Sequence, residues 1–124
     1  MFVQCTSLKS INFKNFNTDS VTSMYGMFSL CTSLSSLDLS SFNTSKTKNM
    51  SFIFYSCSSL TSLDLSNFDT SSVEYISYIF AECSSLLYLN FKNLNSTSFN
   101  SYSYMFYNCN FNLVYCLILL IMLF

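Results

Sequence analysis

The chain has 124 residues, enough for one domain around one core, and only five Lys and six acidic side chains carry charge. A net charge of −1 with no Arg offers no basic face to nucleic acid. The absence of His removes the commonest general acid/base and the commonest metal ligand.

The first segment, Met1-Phe2-Val3-Gln4-Cys5, shows no basic stretch followed by an apolar run, so no signal peptide is read in it. Ile11 and Phe13 then alternate with Asn12 and Lys14. Period two predicts a short strand near 9–14 with one face buried. After the equivalent strand of the second copy, Phe42-Asn43-Thr44-Ser45 has turn and cap chemistry, because Asn, Ser and Thr side chains can satisfy the first free amides of a helix. In the first copy Val21, Met24, Met27, Phe28 and Cys31 follow at spacings of three and four, one stripe of a short helix near 20–30.

The same order then recurs. Strands are predicted near 35–40, 61–66 and 87–92, and helices near 46–56, 72–82 and 98–108. Ser71 and Glu74 stand in capping-box spacing before the third helix. Cys falls at 5, 31, 57, 83 and 109, always 26 residues apart. In phase with it run Phe2, Phe28, Phe54, Phe80 and Phe106, three residues earlier. Leu8, Leu34, Leu60 and Leu86 stand three later, and Phe16, Phe42, Phe68 and Leu94 eleven later. Columns that agree over four or five copies define a 26-residue tandem repeat, whose units bury their apolar faces against one another. The expected fold is an α/β leucine-rich-repeat solenoid over residues 1–112, with a parallel sheet on one face and short helices on the other.

The run Met27-Phe28-x-x-Cys31-x-Ser33-Leu34-x-x-Leu37-Asp38-Leu39-Ser40-x-Phe42-Asn43-Thr44 resembles the BspA-type leucine-rich repeat, and also the 26-residue repeat of mycoplasma-type surface lipoproteins. The resemblance spans residues 1 to about 109. It implies a cell-surface or secreted protein used for adhesion or protein binding, with no cofactor and no catalytic residue to carry over. Three departures stand out. Lys46-Thr47-Lys48 replaces an apolar residue at the start of the second helix, the fourth unit is degraded around Leu94-Asn95-Ser96 and Phe99, and the pattern stops after Cys109.

The outward strand column is the candidate binding surface. It comprises Asn12, Asp38, Asp64 and Asn90, flanked by Ser36, Ser62 and Tyr88 on one side and by Ser40, Ser66 and Lys92 on the other. The alternative is a merely solvated strand face, with Asp38 and Asp64 as mildly unfavourable like charges. Two carboxylates without further oxygen ligands make a poor calcium site. Repeat symmetry gives both Asp the same surroundings, which argues against an acid/base pair and against an enzyme.

The in-phase Cys residues read as small buried apolar groups. Disulfides and a zinc site compete with that reading. Equivalent positions in a stack point the same way, and there is neither Cys-x-x-Cys nor His. Three N-x-S/T sequons, at Asn43, Asn49 and Asn95, are expected by chance in a chain this rich in Asn, Ser and Thr.

Residues 113–124 form an uncharged apolar tail, off register with the repeat and shorter than a membrane span as a helix. It reads as a buried last strand, a truncated membrane anchor or a reading-frame artefact. Because Met1-Phe2 sits in mid-unit, an incomplete gene product is the favoured reading, and self-association through uncapped ends is expected. The function expected is a non-enzymatic surface or secreted protein-binding module, without cofactor or metal. The alternatives are an intracellular interaction solenoid and a fragment without independent activity.

Overall fold

The computed structural model describes residues 1–95 and 97–110. Its units lie on one another in the 26-residue register. Strand β1 (Ser62–Asp64) pairs in parallel with β2 (Tyr88–Asn90), with Ser62 opposite Tyr88, Leu63 opposite Leu89 and Asp64 opposite Asn90. A second line of parallel bridges joins Ser23 to Asn49, Asn49 to Tyr75 and Tyr75 to Ser101. Every pair is 26 residues apart, so the sequence repeat is also the spatial repeat.

The two strands lie inside the predicted segments 61–66 and 87–92 but are only three residues long. Their ends have a local cause. The Asp64 Oδ1 accepts the Ser66 amide at 2.8 Å, and the Asp38 Oδ1 accepts the Ser40 amide at 3.0 Å. An Asp or Asn that bonds the amide two residues on turns the chain and withdraws that amide from a ladder. The segments 9–14 and 35–40 form no regular strand; Ser35 donates to the Lys9 carbonyl at a long 3.4 Å.

No helix occurs among the described residues. The expected α/β solenoid with a row of helices is therefore incorrect, and the segments near 20–30, 46–56, 72–82 and 98–108 are runs of tight turns. In the first of them, Met27, Ser29 and Cys31 donate to the carbonyls three residues back, at 3.1, 2.9 and 3.1 Å. The amides between them cross to the next unit: Met24, Gly26, Phe28 and Leu30 donate to Asn49, Ser51, Ile53 and Tyr55 at 2.8, 3.0, 2.9 and 2.8 Å. Met50, Phe52, Phe54 and Ser56 repeat the pattern onto Tyr75, Ser77, Ile79 and Ala81, and Ile76, Tyr78, Phe80 and Glu82 repeat it onto Ser101, Ser103, Met105 and Tyr107. Alternate amides thus close local turns or tie units together, whereas a helix would spend nearly all of them within itself.

Two columns of left-handed residues make this path. Gln4, Leu30, Ser56, Glu82 and Asn108 form one, and Gly26, Phe52, Tyr78 and Tyr104 the other, with φ between 53° and 64°. Two left-handed residues four positions apart in each unit break a helix. Gly26 occupies its position without strain, and an added Cβ would make ordinary van der Waals contact with the Ser29 Cβ at 3.7 Å and the Val3 Cγ2 at 4.0 Å.

The physical reason for turns in place of helices is width. An α-helix with side chains is about 10 Å across, while paired strands lie about 4.8 Å apart. A run of turns is thin enough to stack at a spacing close to that of the sheet. The Phe2, Phe28, Phe54, Phe80 and Phe106 rings on this side stack with centroids 5.7, 5.8, 5.7 and 5.3 Å apart and planes within 15°. Poor helix formers such as Ser, Asn, Tyr and Phe in these segments offer little resistance.

The core lies between the strand side and the turn side. Leu34, Leu60 and Leu86 fill one buried column, Cys31, Cys57 and Cys83 another, and Phe42 and Phe68 a third. Val21, Thr47 and Val73 share one position. Thr47 is fully buried and its hydroxyl donates to the Val21 carbonyl at 3.0 Å, so the departure at Lys46-Thr47-Lys48 keeps the shape of Val. Lys48 pairs with Glu74 across units at 3.1 Å. With no helix to cap, Ser71 instead gives its amide to the Asp69 Oδ1 at 2.9 Å. The apolar tail 113–124, with the off-phase Cys116, lies outside the described residues.

Candidate functional site

The outward column sits where the sequence places it. Asn12, Ser36, Asp38, Ser40, Ser62, Asp64, Tyr88 and Lys92 are exposed, and Ser66 and Asn90 are half-buried. An open depression of about 280 Å³ crosses three units and is lined by Ser36, Leu37, Asp38, Ser62, Leu63, Asp64 and Tyr88. A second, about 520 Å³, brings Asn12 and Lys14 to Asp38 and Ser40. A third joins Asp38 and Ser40 to Asp64 and Ser66. These depressions bring eight of the ten candidates into one strip, all except Asn90 and Lys92 having a place in their linings; Asn90 and Lys92 instead flank the Asp64 carboxylate.

The column has a structural task as well. Asn12, Asp38 and Asp64 each accept the amide two residues on, from Lys14, Ser40 and Ser66. Bonds from Ser40 hold the Asp38 carboxyl below its ordinary value, and bonds from Ser66 do the same for Asp64, helped by Asn90 and the Lys92 charge. Both carboxyls therefore move in the same direction for the same reason. An acid/base pair needs the opposite, two environments that drive the values apart.

The sequon asparagines belong to this turn chemistry too. Asn43, Asn49 and Asn95 each present Oδ1 to the amide two residues on, at 3.1, 2.9 and 3.1 Å. The Asn-x-Ser/Thr spacing is thus accounted for by a turn that Asn makes and Ser or Thr completes.

The thiols are engaged in packing. Cys31, Cys57, Cys83 and Cys109 donate to the carbonyls of Phe2, Phe28, Phe54 and Phe80 in the preceding unit, at 3.0, 3.2, 3.1 and 2.8 Å. Burial pushes the Cys57 thiol up to about 12, with the neighbouring Cys31 adding to it. It lifts Cys109 to about 11 and raises Cys31 and Cys83 as well. A thiol whose folded value lies above its ordinary 9.0 stabilises the fold fully below that pH, and the contribution is lost as pH rises towards about 12. The thiolate is the reactive form. Cys57 and Cys83 should therefore resist iodoacetamide at pH 9 in the folded chain and react readily once it is unfolded in urea. Site-resolved mass spectrometry reads the difference, and equal rates in both states would contradict the assignment.

One surface feature went unseen in the sequence. Tyr25, Phe52, Tyr55, Tyr78, Tyr104 and Tyr107 form an unbroken chain of ring contacts on the turn side. Five of the nine tyrosines are gathered there. The signal was present, since 52, 78 and 104 are one column and 55 and 107 another. On a helix these positions read as separate exposed residues, not as one patch.

The chain belongs to the family described as Mycoplasma protein of unknown function, DUF285, whose profile matches residues 1–114. Comparison with the curated proteins found no match, and comparison with the solved structures found none.

Proposed function

We propose that this DUF285 member is a non-enzymatic binding module of a cell-surface or secreted protein, and that it presents its strand face to another macromolecule. The observation that carries the reading is the strip of exposed and half-buried Ser, Asp and Asn side chains over successive units, with Tyr88 beside it. An array of repeats sums weak contacts into useful affinity. The resemblance of residues 27–44 to BspA-type repeats supports an adhesive role. The like behaviour of Asp38 and Asp64 supports binding and not catalysis.

Two measurements test this. On intact cells of the source organism, a membrane-impermeant biotin reagent should label the native protein; labelling only after lysis would rule out a surface location. Beads carrying the purified chain should adhere to cultured epithelial cells or to immobilised matrix proteins. The Asp38→Ser, Asp64→Ser, Tyr88→Ser triple variant, checked for fold by circular dichroism, should lose roughly tenfold or more of that binding. Undiminished adhesion by the folded variant would remove the strand face from consideration.

A further inference from the structure

We propose that the aromatic ladder on the turn side is a self-pairing surface, through which two copies of this chain associate side by side. The ladder runs Tyr25, Phe52, Tyr78, Tyr104, with Tyr55 packed against Phe52 and Tyr107 against Tyr104. Phe52 and Tyr78 are stacked at 4.8 Å and 10°, and Tyr78 and Tyr104 at 5.0 Å and 23°. Tyr25, Tyr104 and Tyr107 are 58%, 60% and 56% exposed.

The fold does not need aromatic rings in this column. Gly26 occupies the same position in the first unit, and a left-handed residue is best supplied by Gly. Phe52, Tyr78 and Tyr104 instead hold bulky side chains at φ of 61°, 58° and 58°. That choice disfavours the isolated chain and sets three rings in a row, half-buried at Phe52 and Tyr78 and exposed at Tyr104. Large exposed aromatics with low conformational freedom are the side chains that dominate protein interfaces.

The spacing selects the occupant. A partner touches every ring only if its own features recur at about 4.8–5.5 Å. An extended peptide laid along the ladder repeats at roughly 6.4–6.8 Å per two residues and falls out of phase, while a polyproline helix, at roughly 9.3 Å per turn, close to two rungs, meets only alternate rings. A second copy has the required interval by construction. Two such ladders can interdigitate as facing sheets do in paired β-stacks, where identical side chains recur at the strand spacing.

Charge and shape agree with this. The six side chains are uncharged, so two copies approach without like-charge repulsion within the ladder. In a two-fold arrangement the Tyr25 end of one copy faces the Tyr107 end of the other. Gly26 carries no ring at the first end, where Val3 is exposed, while Tyr104 and Tyr107 form a double ring at the second. Each end thereby supplies what the other lacks. The patch offers on the order of 400–500 Å² per copy, which gives a pair near the lower edge of specific interfaces, hence a weak and reversible dimer.

Sedimentation velocity of the purified chain from ~1 to ~200 µM is the test, a range that brackets micromolar association. A concentration-dependent dimer is expected. Tyr78→Ser with Tyr104→Ser should weaken it about tenfold or more. Asp38→Ser with Asp64→Ser, on the strand face, should leave it unchanged, which separates this surface from the one proposed for the partner. Should the tyrosine double variant fail to fold, Tyr104→Lys at a largely exposed ring serves instead: it should abolish the dimer at low salt. A chain that stays monomeric over the whole range overturns the proposal. So does a folded tyrosine variant that dimerises like the parent, which would point to the stack ends.

Discussion

Replacing Phe54 by Ala is expected to lower the unfolding free energy by about 3–5 kcal/mol, the range for removing a large buried aromatic side chain. Phe54 is fully buried at the middle of the phenylalanine column, 5.8 Å from Phe28 and 5.7 Å from Phe80 with planes within 7°. Its loss interrupts two stacked pairs, each worth about 0.5–1.5 kcal/mol beyond burial. The void also lies beneath the backbone that ties units together, since the Phe54 amide donates to Ile79 at 3.0 Å and its carbonyl accepts the Cys83 thiol at 3.1 Å. The neighbouring units are held on both sides by the same bonds and cannot collapse into the gap independently. Phe2 provides the comparison. It is half-buried and stacks on one member of the column, Phe28, at 5.7 Å. Urea unfolding should place Phe2→Ala clearly below Phe54→Ala in cost; equal losses would mean that the column does not act as a continuous stack.

Much of this architecture was legible before the structure. The 26-residue columns give the register of every cross-unit pair, from Ser62 opposite Tyr88 to Tyr75 opposite Ser101. They also give the buried set, since the Phe, Leu and Cys columns form the core. The expected helices are absent among the described residues for a definite reason. A stripe at spacings of three and four is buried equally well by a helix and by this run of turns, so periodicity cannot choose between them. What chooses is the pair of left-handed residues four positions apart in each unit, and at Leu30, Ser56 and Glu82 nothing in the residue type announces it. Gly26 and Asn108 alone carry the usual signature of such a position. The candidate site divides in the same way. The outward Asn12, Asp38 and Asp64 column was found because alternation exposes it. Its turn-forming bonds to Lys14, Ser40 and Ser66 were not, because they depend on where each strand stops.

A third column tests how the stack is tied where the chain turns away from the strands. Thr18, Thr44 and Thr70 are almost fully buried, 2%, 1% and 0% exposed. The Thr44 hydroxyl donates to the Asp69 carbonyl at 2.9 Å and accepts the Asp69 amide at 2.8 Å. Thr18 does the same with Asn43 at 2.9 and 2.8 Å, and Thr70 accepts the Asn95 amide at 2.7 Å. One hydroxyl thus stands in for both backbone bonds that a strand neighbour would supply. Thr44→Val keeps the shape and removes only this function, leaving an amide and a carbonyl of Asp69 without their partner. At about 1–3 kcal/mol for each such group, the expected loss is about 2–4 kcal/mol, since Asp69 itself is at the surface and water recovers part of it. Thr44→Ser retains the oxygen and should cost only about 1 kcal/mol, for the lost methyl group. Thr47 is the control within the same unit. It is just as buried, but its hydroxyl makes one bond, to the Val21 carbonyl, and Val21 and Val73 occupy the equivalent positions. Thr47→Val should therefore stay within about 1 kcal/mol of the parent, near the net worth of one hydrogen bond. Thermal and urea unfolding of the three variants give the ranking. If Thr44→Val and Thr47→Val prove equally mild, then the phenylalanine and leucine columns alone hold the units in register, and the threonine bonds merely accompany them.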